Sequence, residues 1–197
     1  MKQVCIINGG STYEDEAAFQ DHLLKLELKY IRMLYTGGNW KNWLGATLTD
    51  YDVLLPEMPN KAYAKYDEWA LFFSKILPFL HNDAILVGHS LGGIFLAKYL
   101  NEHADSLHFS KVALVSAPFN DTSTESLASF ALPEDMSNLE KTADHFALFH
   151  STDDKVVPFA EIHKYAAILP RAEVTVLEGR GHINDPTFPE LLEFIKK

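Results

Sequence analysis

The sequence predicts an α/β fold: a mostly parallel, doubly wound sheet sandwiched between two layers of helices. Two observations predict it. Short β-rich runs alternate with longer amphipathic stretches along the whole chain, which selects parallel strands joined by right-handed helical crossovers. Most of the runs are also continuously apolar, as strands covered on both faces must be.

Taken in order, Gln3–Ile7 is the first strand, and it ends in Asn8-Gly9-Gly10. Glu14–Leu28 then reads as an amphipathic helix: Phe19, Leu23 and Leu26 share a face, Leu24 and Leu28 lie alongside, and Glu14, Asp15 and Glu16 suit the positive end of the helix dipole. Ile31–Leu34 is a further strand candidate. Thr36–Asp50 departs from the alternation and carries Gly37-Gly38 and the pair Trp40 and Trp43, spaced for one helical face. Asp52–Leu55, Ala84–Val87, Lys111–Val115, His145–Phe149 and Glu173–Leu177 are the later strands. Ala62–Leu80, Leu91–His103, Phe159–Leu169 and Phe188–Lys196 are the later helices. A second excursion, Asn120–Ala143, is rich in Ser, Thr and Asp and contains Pro133. In open α/β sheets ligands bind beyond the carboxyl ends of the strands, where such excursions serve as walls and lids or simply as surface loops.

At 197 residues, with no repeat, linker or low-complexity tract, the chain is expected to form one domain, 1–197. That length buries about 70% of the unfolded surface, so neither disulfide nor metal staple is needed. The net charge of −10 repels nucleic-acid backbones and anionic lipid, so neither is an expected partner. The single cysteine, Cys5, excludes internal disulfides and multi-cysteine metal sites, and inside an apolar strand it reads as a small buried hydrophobe. With no signal-peptide core and no membrane-length apolar run, a cytoplasmic location is expected. There is no phosphate loop, dinucleotide fingerprint or zinc-protease motif, so no metal and no cofactor is implied.

The chemistry concentrates in Gly88-His89-Ser90-Leu91-Gly92-Gly93, directly after one strand and directly before one helix. In that setting G-x-S-x-G forms a sharp turn that presents a serine at a helix N-terminus, where positive partial charge favours a developing oxyanion. Serine is a weak nucleophile and needs a base, which itself needs an orienting acid. Both follow at later strand ends. Glu178-Gly179-Arg180-Gly181-His182 offers His182 as general base, with the small Gly181 giving the ring room to approach the serine. His150-Ser151-Thr152-Asp153-Asp154 offers two acids, of which Asp154, nearer the turn at Pro158, is favoured over Asp153. Asp144 and Asp185 are rivals placed less well. The oxyanion donors are expected to be the backbone amides of Leu91 and of Gly10, with Ser11 as the alternative to Gly10. Ser11, His89, Trp40, Trp43, Phe119 and Ile183 are candidates for the substrate pocket.

These pieces resemble a small α/β-hydrolase, most of all the retinoblastoma-binding-protein-nine/YdeN-type serine hydrolases. The resemblance rests on Val4-Cys5-Ile6-Ile7-Asn8-Gly9, Pro56-Glu57-Met58-Pro59-Asn60 with Trp69 downstream, Gly88–Gly93, Leu114-Val115-Ser116-Ala117, Ser151–Pro158 and Gly181-His182. It implies Ser90, Asp154 and His182 as nucleophile, acid and base, and so supports Asp154 independently of its spacing. Two departures stand out: Asn8 occupies a place where related hydrolases often carry His, and the stretch before Asp52–Leu55 is longer than usual. The expected activity is hydrolysis of a small carboxylic ester through an acyl-enzyme, with amide or thioester hydrolysis using the same parts. The rival from another class is a binding or regulatory protein with an unused triad. So short a chain leaves no room for a separate cap, which predicts a shallow pocket and small substrates. Net charge alone predicts neutral or cationic esters over anionic ones.

Overall fold

The computed structural model describes residues 1–27, 38–120 and 126–197. Its elements run β1 (Lys2–Ile7), α1 (Glu16–Lys25), α2 (Trp40–Thr47), β2 (Tyr51–Leu54), α3 (Tyr66–Ile76), β3 (Ile85–His89), α4 (Leu91–Glu102), β4 (Phe109–Val115), β5 (Ala143–Ser151), α5 (Glu161–Ile168), β6 (Glu173–Leu177) and α6 (Pro189–Lys196). The strands form one sheet in the order β2-β1-β3-β4-β5-β6, and every pairing is parallel. The expected strand at Ile31–Leu34 lies outside the described residues.

Alternation along the central strands β1, β3, β4 and β5 explains why their inner runs contain no polar break. Cys5, Ile7, Leu86, Val112, Leu114 and Leu148 point to the layer of α3, α4 and α5, while Val4, Ile6, Val87, Ala113, Val115 and Phe149 point to that of α2 and α6. In these central strands both faces are dry, so both parities are apolar, whereas the edge strands β2 and β6 are partly exposed, Val174 and Val176 among them. Cys5 is fully buried, and burial pushes its thiol up to about 12, which removes it from nucleophilic chemistry. Among the described residues no helix is long and apolar enough to cross a membrane.

Two elements depart from expectation. The first helix forms, capped by the Asp15 carboxylate accepting from the Ala18 amide at 2.8 Å, yet none of its residues is buried. Its apolar residues were expected to face a core; instead Leu23 and Leu24 are exposed, and its packing is a ring cluster in which Phe19 stacks on Tyr63 at 5.1 Å. The second excursion is more than a loop. Leu127, Phe130, Met136 and Leu139 are buried against α4, whose residues from Leu91 to Ala97 are all buried. A helix that apolar all round needs a second cover besides the sheet, and 126–142 supplies it. Asn101 fastens this cover, its Nδ2 donating to the Asp135 carbonyl at 3.0 Å and its Oδ1 accepting from the Asn138 amide at 3.2 Å.

The chain leaves β1 for β2 on one side and returns to place β3 on the other. That reversal opens a crevice beyond the carboxyl ends of β1 and β3, and the loop after β1 meets the start of α4 there.

Candidate active site

Ser90 links β3 to α4 with φ 57° and ψ −126°, a left-handed conformation that costs a non-glycine residue of order 1–3 kcal/mol. Two backbone hydrogen bonds hold it there: its amide donates to the Val115 carbonyl at 2.9 Å, and its carbonyl accepts from the Gly93 amide at 2.8 Å. The turn closes only because Gly92 has no side chain, since a Cβ there would stand 2.2 Å from the Ile7 carbonyl oxygen.

Ser90 opens into a cleft it shares with Gly10, Thr12 and Leu91 on one side and Val156 and Val157 on the other. Pro118, Ser126 and Leu127 complete the lining, and the enclosed room is about 20 Å³, space for about one water. The two expected oxyanion donors therefore flank the serine. Ser11 is committed elsewhere, because its amide donates to the Lys61 carbonyl at 2.8 Å. Larger clefts of about 460 and 420 Å³ flank Tyr63, but neither is lined by Ser90, Asp154 or His182.

His182 follows β6 at a turn whose Gly181 has φ 51°. Gly181 is needed for that conformation rather than for room: a Cβ on it would meet nothing within 4 Å. The His182 Nδ1 donates to Asp154 Oδ2 at 2.8 Å. The other carboxylate oxygen, Asp154 Oδ1, accepts from the amides of Val156 at 2.8 Å and Val157 at 3.0 Å, so the side chain is fully covered and fixed. His150 lies behind it, its Nε2 3.5 Å from Oδ2 and donating to the Val157 carbonyl at 3.0 Å. Burial alone would raise the Asp154 carboxyl. The hydrogen bonds from His150 and His182, the His182 charge and the Val157 amide outweigh it and hold the group far below the usual carboxylate range.

The remaining acids have other partners. Asp153 accepts from Ser151 Oγ at 2.5 Å and from the Gly181 amide at 3.1 Å, bracing the turn that carries His182, and these bonds hold it below its ordinary value. Asp144 pairs with His108 at 3.0 Å near the start of β5, and Asp185 takes Arg180 at 2.7 Å. Only Asp154 among these four meets His182. No hydrogen bond joins Ser90 Oγ to the His182 ring among the described residues; such contacts commonly tighten once substrate is bound. His89, the residue before Ser90, ties the two segments together: its Nε2 donates to the His182 carbonyl at 2.9 Å and its ring centroid lies 5.0 Å from that of His182.

His89 is itself fully enclosed. Burial first, then the charges of Lys41 and His182, drive its pKa well below the ordinary histidine value, so the ring stays neutral with Nδ1 unpartnered. His89, Trp40 and Ile183 thus stand behind the cleft instead of lining it. Trp40 is fully buried, crosses the His89 ring edge-on at 5.8 Å and donates from Nε1 to the Ile183 carbonyl at 2.7 Å. Trp43 packs on the same core face, and Phe119 lies against Tyr165 at 5.0 Å with its amide donating to Glu161. The cleft walls that residue reading missed, Thr12, Pro118, Val156 and Val157, all follow strand ends, and that position was the signal available for them.

Residues 36–188, well over half of the chain, match the family model described as serine hydrolase. The chain belongs to the serine hydrolase family. It is 27% identical to the YdeN protein of Bacillus subtilis (strain 168) over 159 residues, which are 78% of this chain and 83% of that one. The crystal structure of the B. subtilis ydeN gene product superimposes with a TM-score of 0.78 at 22% identity, covering 100% of this chain and 97% of the other. The esterase RhEst1 from Rhodococcus sp. ECU1013 superimposes at 0.64 with 15% identity, covering 100% and 90%. These similarities establish the α/β-hydrolase fold, and the family model establishes a hydrolase of the serine class.

Proposed function

We propose that this serine hydrolase cleaves small carboxylic esters through an acyl-enzyme on Ser90, with His182 as general base and Asp154 as its orienting acid. The observation that carries this reading is the His182–Asp154 hydrogen bond, together with a strained Ser90 that opens into a cleft. Asp154 has its second oxygen locked by two backbone amides, so it can hold only one tautomer of His182, with the proton on Nδ1 and the lone pair on Nε2. That lone pair takes the Ser90 proton as Oγ attacks the carbonyl, and the developing oxyanion is met by the Leu91 amide at the N-terminus of α4 and the Gly10 amide in the loop after β1. Protonated His182 then gives its proton to the leaving alcohol. Water, activated by the same nitrogen, releases the acid and restores the serine.

Ser90 combines this strained conformation with a place on a cleft between two candidate oxyanion amides, and that combination supports catalysis over a purely binding role. The room beside Ser90 is small, which favours short acyl groups. The test is a p-nitrophenyl ester series from acetate to decanoate. Saturable turnover is expected, with kcat/KM falling by about tenfold or more between butyrate and decanoate, as each added methylene clashes instead of being buried. No saturable turnover on any member, nor on matched thioesters or amides, would overturn the reading.

A further inference from the structure

Beyond the Ser90 cleft, a second, open cleft of about 110 Å³ lies at the carboxyl ends of β1 and β2, bordered by the N-terminal turn of α2. Its polar lining is Asn8, Asn39, Lys41, Asn42 and Glu57. Lys41 is 4% exposed, and its ammonium rests 4.5 Å over the Trp40 ring with no hydrogen bond or ion pair to any described residue. Burial pulls Lys41 down to about 8, so it is still mainly charged at neutral pH. The stem is covered while the ammonium opens on the cleft with no counter-charge from a described residue, which leaves the site ready for an anion.

The asparagines point the same way. Asn8 Oδ1 accepts from the Gly9 amide at 2.9 Å, Asn39 Oδ1 from the Lys41 amide at 3.1 Å, and Asn42 Oδ1 from the Asn39 amide at 3.3 Å. Each acceptor is therefore occupied, and each Nδ2 is left as a donor without a partner among the described residues. Glu57 is the one carboxylate on the lining; it is mostly exposed and already paired with Lys61 at 2.5 Å. The cavity thus offers one cation and three amide donors, in a volume of about three to four waters, room for a carboxylate on a short chain.

The loop after β1 links it to the nucleophile. Asn8 continues into Gly9, where a Cβ would stand 3.3 Å from Ser90 Oγ, and then into Gly10 on the Ser90 cleft. We propose that this cavity holds a free carboxylate of the substrate, so that the preferred esters are small half-esters of dicarboxylic acids, gripped by Lys41 and the Asn8, Asn39 and Asn42 amides. The inference rests on the hydrolase reading of Ser90. It reverses the preference drawn from net charge, because a charge of −10 acts through screened solvent whereas Lys41 acts at contact.

The test compares kcat/KM for monoethyl glutarate and ethyl valerate in a pH-stat. The wild-type ratio is expected to favour the half-ester by about tenfold or more, and Lys41→Met to lower that ratio by at least about tenfold, with Lys41→Arg keeping most of it. Asn8→Asp, which keeps the Gly9 contact at an exposed position but adds a negative charge, should lower the ratio similarly and carries the test if Lys41→Met does not fold. Glutarate binding to the wild type, measured by calorimetry, is read separately and should weaken in the same variants. A wild-type ratio at or below one, or one unchanged in both Lys41→Met and Asn8→Asp, overturns the proposal. If neither ester is turned over, the Ser90 reading fails, and the calorimetry alone then decides whether the cavity takes a carboxylate.

Discussion

Ser90→Ala is expected to lower p-nitrophenyl acetate turnover by about 10⁴-fold or more while leaving the fold intact. The bonds that hold the elbow are made by backbone atoms of residue 90, the amide to Val115 and the carbonyl from Gly93, and alanine keeps both. Alanine pays the same conformational strain as serine at φ 57°, so the midpoint of thermal unfolding should move by only a few degrees. What disappears is the one oxygen that can form the acyl bond. The residual rate measures what the Leu91 and Gly10 amides do for direct attack by water. Steady-state kinetics beside a thermal melt checks both halves, and a folded Ser90→Ala within tenfold of wild type would refute the assignment.

The second large effect separates two neighbouring acids. Asp154→Asn is expected to cost about 10³–10⁴ in kcat, because the amide no longer enforces the proton on His182 Nδ1 and cannot offset the imidazolium charge. Asp153→Asn should stay within about tenfold, since its Oδ1 acceptor for Ser151 and Gly181 survives as an amide oxygen. Reversed effects would exchange the two roles. Acid stability gives an independent reading. The folded-state pKa of Asp154 lies below the value of ~3.9 expected for the unfolded chain, so below about pH 4 the unfolded state binds the extra proton. Asp154 therefore stabilises the fold above that pH and loses its contribution as pH falls. Urea midpoints taken from pH 6 down to pH 2 should fall less steeply in Asp154→Asn than in wild type.

The central strands were legible because both sheet faces are dry there. Where Cys5, Ile7 and their neighbours alternate between two helical layers, no polar residue interrupts the run, and the run itself marks the strand. Ser90, Asp154 and His182 were legible for a related reason: each follows a strand end, where this topology brings remote segments together. The side of the sheet on which a residue lies was much harder to read. Trp40 looked like a pocket aromatic from its place in an insertion, but the indole packs under His89, because α2 covers the face opposite α4. The face of α1 misled in the same way, since an amphipathic period records what a helix could bury and not whether the sheet has room for it. Lys41 gave no sign at all. A lysine in a polar helical turn reads as solvated, and only the tertiary fold covers its stem at the corner beyond β1 and β2.

The account stands most directly on Ser90 as an activated nucleophile, and a fluorophosphonate probe followed by intact-mass and peptide mapping measures that property without any assumption about substrate. One adduct per chain, on the peptide carrying Ser90, absent in Ser90→Ala and formed far more slowly in His182→Ala, is the predicted result. A folded wild-type protein that takes no adduct at neutral pH, or takes it on another residue, would contradict the account.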